Sequence, residues 1–141
     1  MKGKNIDLLR IEENLKQRVQ GKFTTTVPRY YEHTLRVVEN MKRLIKEIDD
    51  PDDKTVLLLT AYLHDIGYSV PYRGDYVGNI NHQTLKTRLH PDVGARFAGE
   101  ILKTMGIEPE MIKKVSYLVS VHHQEDIEDG YLKILLGADK V

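Results

Sequence analysis

The stretch Leu57-Leu58-Leu59-Thr60-Ala61-Tyr62-Leu63-His64-Asp65-Ile66-Gly67 is apolar on almost every face until it closes on a histidine and an aspartate. A helix that is apolar all round has no side to turn to water and must sit inside a fold. Two adjacent ionisable groups therefore stand at the end of a buried helix. Leaving a buried charge unpaired costs several kcal/mol, on the order of 3–5, so both groups need partners. A metal ion suits imidazole and carboxylate together, and its remaining ligands must come from elsewhere in the chain.

Composition restricts what those ligands are. The chain has no cysteine, which removes disulfides, thiolate zinc sites and thiol nucleophiles and leaves nitrogen and oxygen donors. Lys and Arg number 21 and so do Asp and Glu, so the overall charge gives no reason to expect nucleic acid or an anionic membrane as partner. Any phosphate-binding site must be local. A length of 141 residues fits a single domain, 1–141, around one core. The amino-terminal stretch alternates charged with apolar residues and lacks the hydrophobic run of a signal peptide, and no later run approaches a membrane span. A cytoplasmic protein is the expectation. The chain stops two residues after Asp139 without a helix stop signal, which leaves room for further residues in the natural protein.

Periodicity predicts an all-α architecture. Ile6, Leu9, Leu15 and Val19 mark a first amphipathic helix, with Gly21 as its expected stop. Pro28 suits a helix's first turn, and Tyr30, His33, Val37, Met41, Leu44 and Ile48 then recur at three- and four-residue spacing until Asp49-Asp50-Pro51 ends the pattern. Asp52 or Asp53 is expected to cap the buried third helix and Gly67 to close it. Residues 68 to 89 hold Pro71, Gly74 and Gly78 with no sustained period, and a loop of that length is more often a lid or binding loop than an idle connection. Pro91 is expected to open a fourth helix, with His90 at its start, Val93, Phe97, Ile101 and Leu102 as its apolar positions, and Gly94 and Ala95 small enough to permit close approach of a neighbour. Pro109 opens a fifth, on which Met111, Val115, Leu118 and His122 share one stripe and Ile112, Val119 and His123 the next. Leu132, Leu135, Leu136 and Asp139 then fall at i, i+3, i+4 and i+7. The sum is a compact bundle of five or six helices with no strand, repeat or linker.

Metal-ligand residues recur on the inward faces of these separate helices: His33, His64, Asp65, His90, His122 and Asp139. A lone histidine on an apolar stripe is more often held by a backbone carbonyl than by a metal. Six coincidences, with no surplus of buried lysine or arginine to neutralise them, favour one polynuclear site.

The ordered set His33, His64-Asp65 and Asp139 resembles the HD-domain superfamily of metal-dependent phosphohydrolases, over a span from about Tyr30 to the end. His90-Pro91-Asp92-Val93-Gly94 and His122-His123 are similar to the extra histidines of its binuclear branch, which includes HD-GYP proteins and some nucleotide hydrolases. The resemblance implies two divalent transition-metal ions. It makes His33, His64, Asp65 and Asp139 ligands of one, with Asp65 bridging to a second held by His90 and His122, and His123 as a supporting group or occasional ligand. Tyr68 stands where HD-GYP proteins carry lysine, and Gly130-Tyr131-Leu132 is not their Gly-Tyr-Pro segment, which argues against cyclic di-guanylate hydrolysis. Arg29 occupies the position where three-metal members have glutamate.

Imidazole and carboxylate donors suit Mn, Fe, Co, Ni or Zn better than magnesium. Two such ions activate a bridging water near neutral pH and stabilise phosphoryl charge. Because that chemistry dominates the family, the resemblance implies hydrolysis of a phosphate ester or anhydride, with a nucleotide or another small phosphorylated molecule as substrate. His64 and Asp65 belong to its centre, and His82, His123 and Tyr68 are candidates for protonating the leaving oxygen. Arg29, Arg73, Lys86 and Arg88 are candidates for gripping phosphate. The same ligand set suits a di-iron oxygenase, and a regulatory module that binds metal or nucleotide without turnover is a third class.

Overall fold

Asp50 begins the central helix, α3 (Pro51–Leu63): its Oδ1 accepts a hydrogen bond from the Asp52 amide at 2.8 Å, and Pro51 takes the first helical position. The cap is thus earlier than expected. Asp52 and Asp53 instead occupy the first turn, where carboxylates complement the positive end of the helix dipole. From Val56 to Gly67 every residue is buried, as an apolar helix with no polar face requires. The computed structural model describes the backbone of residues 4–24, 28–69, 82–122 and 133–135, and the side chains of 9–23, 30–67, 93–122 and 133–135.

The first, second and fifth helices pack on α3, while the fourth lies on the fifth and on the turn that follows α3. The first, α1 (Lys4–Thr24), runs straight through Gly21. A glycine inside a helix costs about 1 kcal/mol, whereas burying Phe23 two residues later returns roughly 1.5–3 kcal/mol, so the helix continues. Leu15, Val19 and Phe23 are its wholly buried face. Glu12 on α1 accepts hydrogen bonds from the Tyr62 hydroxyl on α3 (2.6 Å) and from Lys42 on α2 (2.8 Å). The next, α2 (Pro28–Leu44), starts at the expected proline and buries Val37, Val38 and Met41 before a 3-10 turn at Ile45–Glu47.

The fourth helix, α4 (His82–Thr104), does not open at Pro91 but contains it, so residues 82–89, expected as loop, are helical. Proline withholds one amide and costs about 3 kcal/mol inside a helix. Leu85, Lys86 and Leu89 are strong helix formers, and Ala98, Ile101 and Leu102 anchor the same helix in the core. Gly106, at φ +78°, ends the run into α5: its amide reaches Lys103 O and the Ile107 amide reaches Leu102 O, both at 3.1 Å, the pairing of a Schellman motif. The fifth, α5 (Pro109–Val121), opens at its expected proline and buries Val115, Leu118, Val119 and Val121. Residues 133–135 are helical with Leu135 buried. Among the described residues there is no strand, and no helix is long and apolar enough to cross a membrane.

The turn after α3 sets up the site. The helix stops at Leu63, His64 caps it in right-handed geometry, and the chain tightens into a 3-10 turn at Ile66–Ser69. Gly67 is not a left-handed helix stop, contrary to expectation, since Gly106 is the only described residue at positive φ. It serves close packing instead. A Cβ built on Gly94 of α4 would stand 3.1 Å from the Gly67 amide nitrogen and 3.5 Å from its Cα. Two glycines face to face let α4 lie directly on the turn that carries Asp65.

Candidate metal centre

Four of the expected ligands meet at the Asp65 carboxylate. Oδ2 lies 3.5 Å from His33 Nε2 and 3.3 Å from His64 Nε2, while Oδ1 lies 3.4 Å from His122 Nε2. His33 comes from the second turn of α2, His64 and Asp65 from the turn after α3, and His122 from the end of α5. The rings of His64 and His122 are wholly buried, Asp65 is nearly so, and the His33 side chain is 30% exposed. The centre therefore opens to solvent on the α2 side.

Local structure fixes which nitrogen each buried ring presents. His64 is the C-cap of α3 and His122 the C-cap of α5. Each uses a carbonyl three residues back, one of the acceptors a helix leaves spare in its last turn: His64 Nδ1 is 2.8 Å from Ala61 O, and His122 Nδ1 is 2.6 Å from Val119 O. A carbonyl only accepts, so both Nδ1 atoms carry hydrogen. In a neutral ring the lone pair then sits on Nε2, the nitrogen aimed at Asp65. The common fate of a core histidine, a bond to backbone, here supplies the outer support that metal-bound imidazoles normally have.

The donor set fits a cation. Neutral rings turning lone pairs on a carboxylate repel it, and three imidazolium ions around one carboxylate would leave net positive charge in a buried pocket. A cation between them removes both problems. His33, His64 and Asp65 each offer a donor atom within 4.8 Å of the others, compact enough for one ion. The C-termini of α3 and α5, the negative ends of their dipoles, also point here.

Other expected site residues are distributed along the chain. His123, Asp139 and Arg73 lie outside the described residues. The backbones of His82, Lys86, Arg88 and His90 belong to α4, that of Arg29 to α2 and that of Tyr68 to the 3-10 turn, and their side chains lie outside the described set. His90 is one helical turn before Gly94, the residue that abuts Gly67. Sequence reasoning missed the carbonyls of Ala61 and Val119, which have no residue signature; the close approach expected at Gly94 is made, but nothing in the sequence indicated that Gly67 is its partner.

A family model described as HD domain matches residues 30–140. No curated protein and no solved structure matches the chain.

Proposed function

We propose that this chain, which belongs to the HD-domain family, is a phosphohydrolase that uses two divalent transition-metal ions to cleave a phosphate ester or anhydride of a nucleotide or other small molecule. Members of the family are largely metal-dependent phosphohydrolases, and the His33, His64 and Asp65 cluster suits a metal. The observation that carries the two-ion reading is the division of the Asp65 carboxylate, one oxygen toward His33 and His64 and the other toward His122.

His33, His64 and Asp65, with Asp139, would hold one ion. Asp65 and His122, with His90, would hold the other, and His123 would support them. When bound, the ions supply Lewis acidity, lowering the pKa of a coordinated water and stabilising charge on the transferring phosphoryl group. The chain's own residues do the rest. Burial of His64 and His122 keeps water from the inner side, so substrate approaches past the half-open His33. Arg29, Arg73, Lys86 and Arg88 would orient the phosphate by charge-assisted hydrogen bonds. His82, His123 or Tyr68 would give a proton to the leaving oxygen.

The test is anaerobic. Protein loaded with manganese or cobalt should release phosphate or a nucleoside monophosphate from at least one member of a phosphate-ester panel, and His33→Ala, His64→Ala and His122→Ala should each abolish that turnover. An inert manganese form, beside an iron form that consumes dioxygen with an organic substrate, would replace this reading with an oxygenase.

A further inference from the structure

Beyond His33, α2 carries Arg36, Asn40 and Arg43 at i+3, i+7 and i+10, one stripe that continues from the metal-centre histidine. With Leu35 and Glu39 these residues line an open cleft of about 310 Å³. Arg36 is exposed, and among the described residues nothing pairs with its guanidinium. Arg43 is held in place, since its Nη2 donates to Asn40 Oδ1 at 2.5 Å and the Asn40 side chain is buried. Glu39 is the one acid among the described lining residues and stands against two arginines, while Lys42 Nζ, 4.0 Å from its carboxylate, is already taken by Glu12 at 2.8 Å. The cleft is therefore cationic on balance in a chain whose overall charge is zero.

Its length bears on what it binds. At about 1.5 Å of rise per residue, Arg36 lies roughly 4.5 Å and Arg43 roughly 15 Å along the axis from His33. A single phosphate at the metal centre does not reach Arg43. Guanidinium groups offer paired donors for a phosphate, and Leu35 with the aliphatic stems and planes of the arginines offers a face on which a base can lie.

We infer that this cleft is a second subsite, taking the distal phosphate and base of a dinucleotide or short single-stranded oligonucleotide whose other phosphate lies at the metal centre. Cleavage of that substrate rests on the phosphohydrolase reading, whereas occupation of the cleft does not require turnover.

The experiment separates the two. Calorimetry on the manganese-loaded protein measures binding of a hydrolysis-resistant phosphorothioate diadenylate carrying a 5′-phosphate and, separately, of inorganic phosphate. Each titration uses the native chain, Arg36→Ala, and the Arg36→Ala/Arg43→Ala pair, with a melting curve for every variant to confirm folding. The preference for diadenylate over inorganic phosphate should fall about tenfold in the double variant, the loss expected when charge-assisted phosphate contacts are removed. Arg36→Ala alone should show part of that loss, which keeps the test valid if replacing Arg43 disturbs Asn40. An unchanged preference, or a native protein that binds diadenylate no better than phosphate, overturns the subsite. Arginine-dependent diadenylate binding without hydrolysis of any ester would instead retain the subsite and sink the phosphohydrolase reading.

Discussion

Three helical glycines give a graded test of how tightly α4 must lie on the turn that carries Asp65. Replacing any of them by alanine relieves an unfolded-state entropy cost and adds about 0.5–1 kcal/mol of helix preference. At Gly21 a Cβ would meet nothing within 4 Å and the residue is exposed, so Gly21→Ala should realise the whole gain, raising the melting temperature by about 2–4 °C. At Gly99 the nearest atom is Ser116 Oγ at 3.2 Å, a hydroxyl that can rotate away, so Gly99→Ala should be close to neutral. At Gly94 the neighbours are the Gly67 nitrogen at 3.1 Å, Val119 Cγ1 at 3.4 Å and Gly67 Cα at 3.5 Å. Two of these are backbone and cannot turn aside. Overpacking of this kind costs about 1–3 kcal/mol, which exceeds the preference gained, so Gly94→Ala should be destabilised by up to about 2 kcal/mol. Because Gly67 is two residues beyond Asp65, the same shift should disturb the ligand and lower metal retention after dialysis. Thermal melts of the three variants should give the order Gly21→Ala above Gly99→Ala above Gly94→Ala. A Gly94→Ala protein as stable as Gly21→Ala, with full metal content, would refute the claim that the Gly67–Gly94 contact sets the position of Asp65.

Three further outcomes are expected. Asp65→Ala should remove most bound transition metal, because the carboxylate faces all three histidines, and full occupancy by elemental analysis would count decisively against its role. Asp50→Ala should cost about 1 kcal/mol by unfolding in urea, the worth of a helix N-cap. Burial pushes the Glu12 carboxyl up, but hydrogen bonds from Lys42 and Tyr62 and the charges of Lys42 and Lys16 outweigh it and hold it below its ordinary 4.5. A depressed carboxyl stabilises the fold above that value and loses its contribution as pH falls through the folded-state pKa. The acid limb of the stability curve should therefore be shallower in Glu12→Gln, and an unchanged limb would remove Glu12 as a contributor to it.

The helical class, the central position of α3 and the starts of α2 and α5 were legible because each follows from local causes: an apolar run, and prolines where a first turn tolerates them. The family match over residues 30–140 agrees with the resemblance drawn from His33, His64-Asp65 and Asp139. Misreadings cluster where tertiary packing overrides a local breaker. Gly21 does not stop α1 because Phe23 is buried beyond it, and Pro91 does not start α4 because the helix is anchored by Ala98, Ile101 and Leu102. Gly67 looked like a helix stop because glycine does that often, yet its use is to leave space for Gly94, a residue far along the chain. In the site, residue types and spacing pointed to His33, His64, Asp65 and His122. They could not indicate how the carboxylate divides its two oxygens, since that depends on where α2 and α5 end up around the turn.

The two buried histidines share a device whose test needs no metal. Each ends its helix, and each spends Nδ1–H on the carbonyl three residues earlier, Ala61 for His64 and Val119 for His122. Helix C-termini thereby fix the ring tautomer at no cost to side-chain packing, because the carbonyls they use are spare in any helix. The consequence is that both Nε2 atoms are left with a lone pair free for a cation by folding rather than by the arrival of one. Metal-free protein labelled with ¹⁵N should therefore show the Nδ1–H tautomer for His64 and His122 at neutral pH in a long-range nitrogen–proton correlation, while His33, which lies within α2 rather than at a helix C-cap, serves as the comparison. Moving the two rings to Nε2–H in the metal-free protein would mean that Asp65, not the backbone, dictates the tautomer. The site would then be a closed histidine–carboxylate network rather than one built to receive a cation.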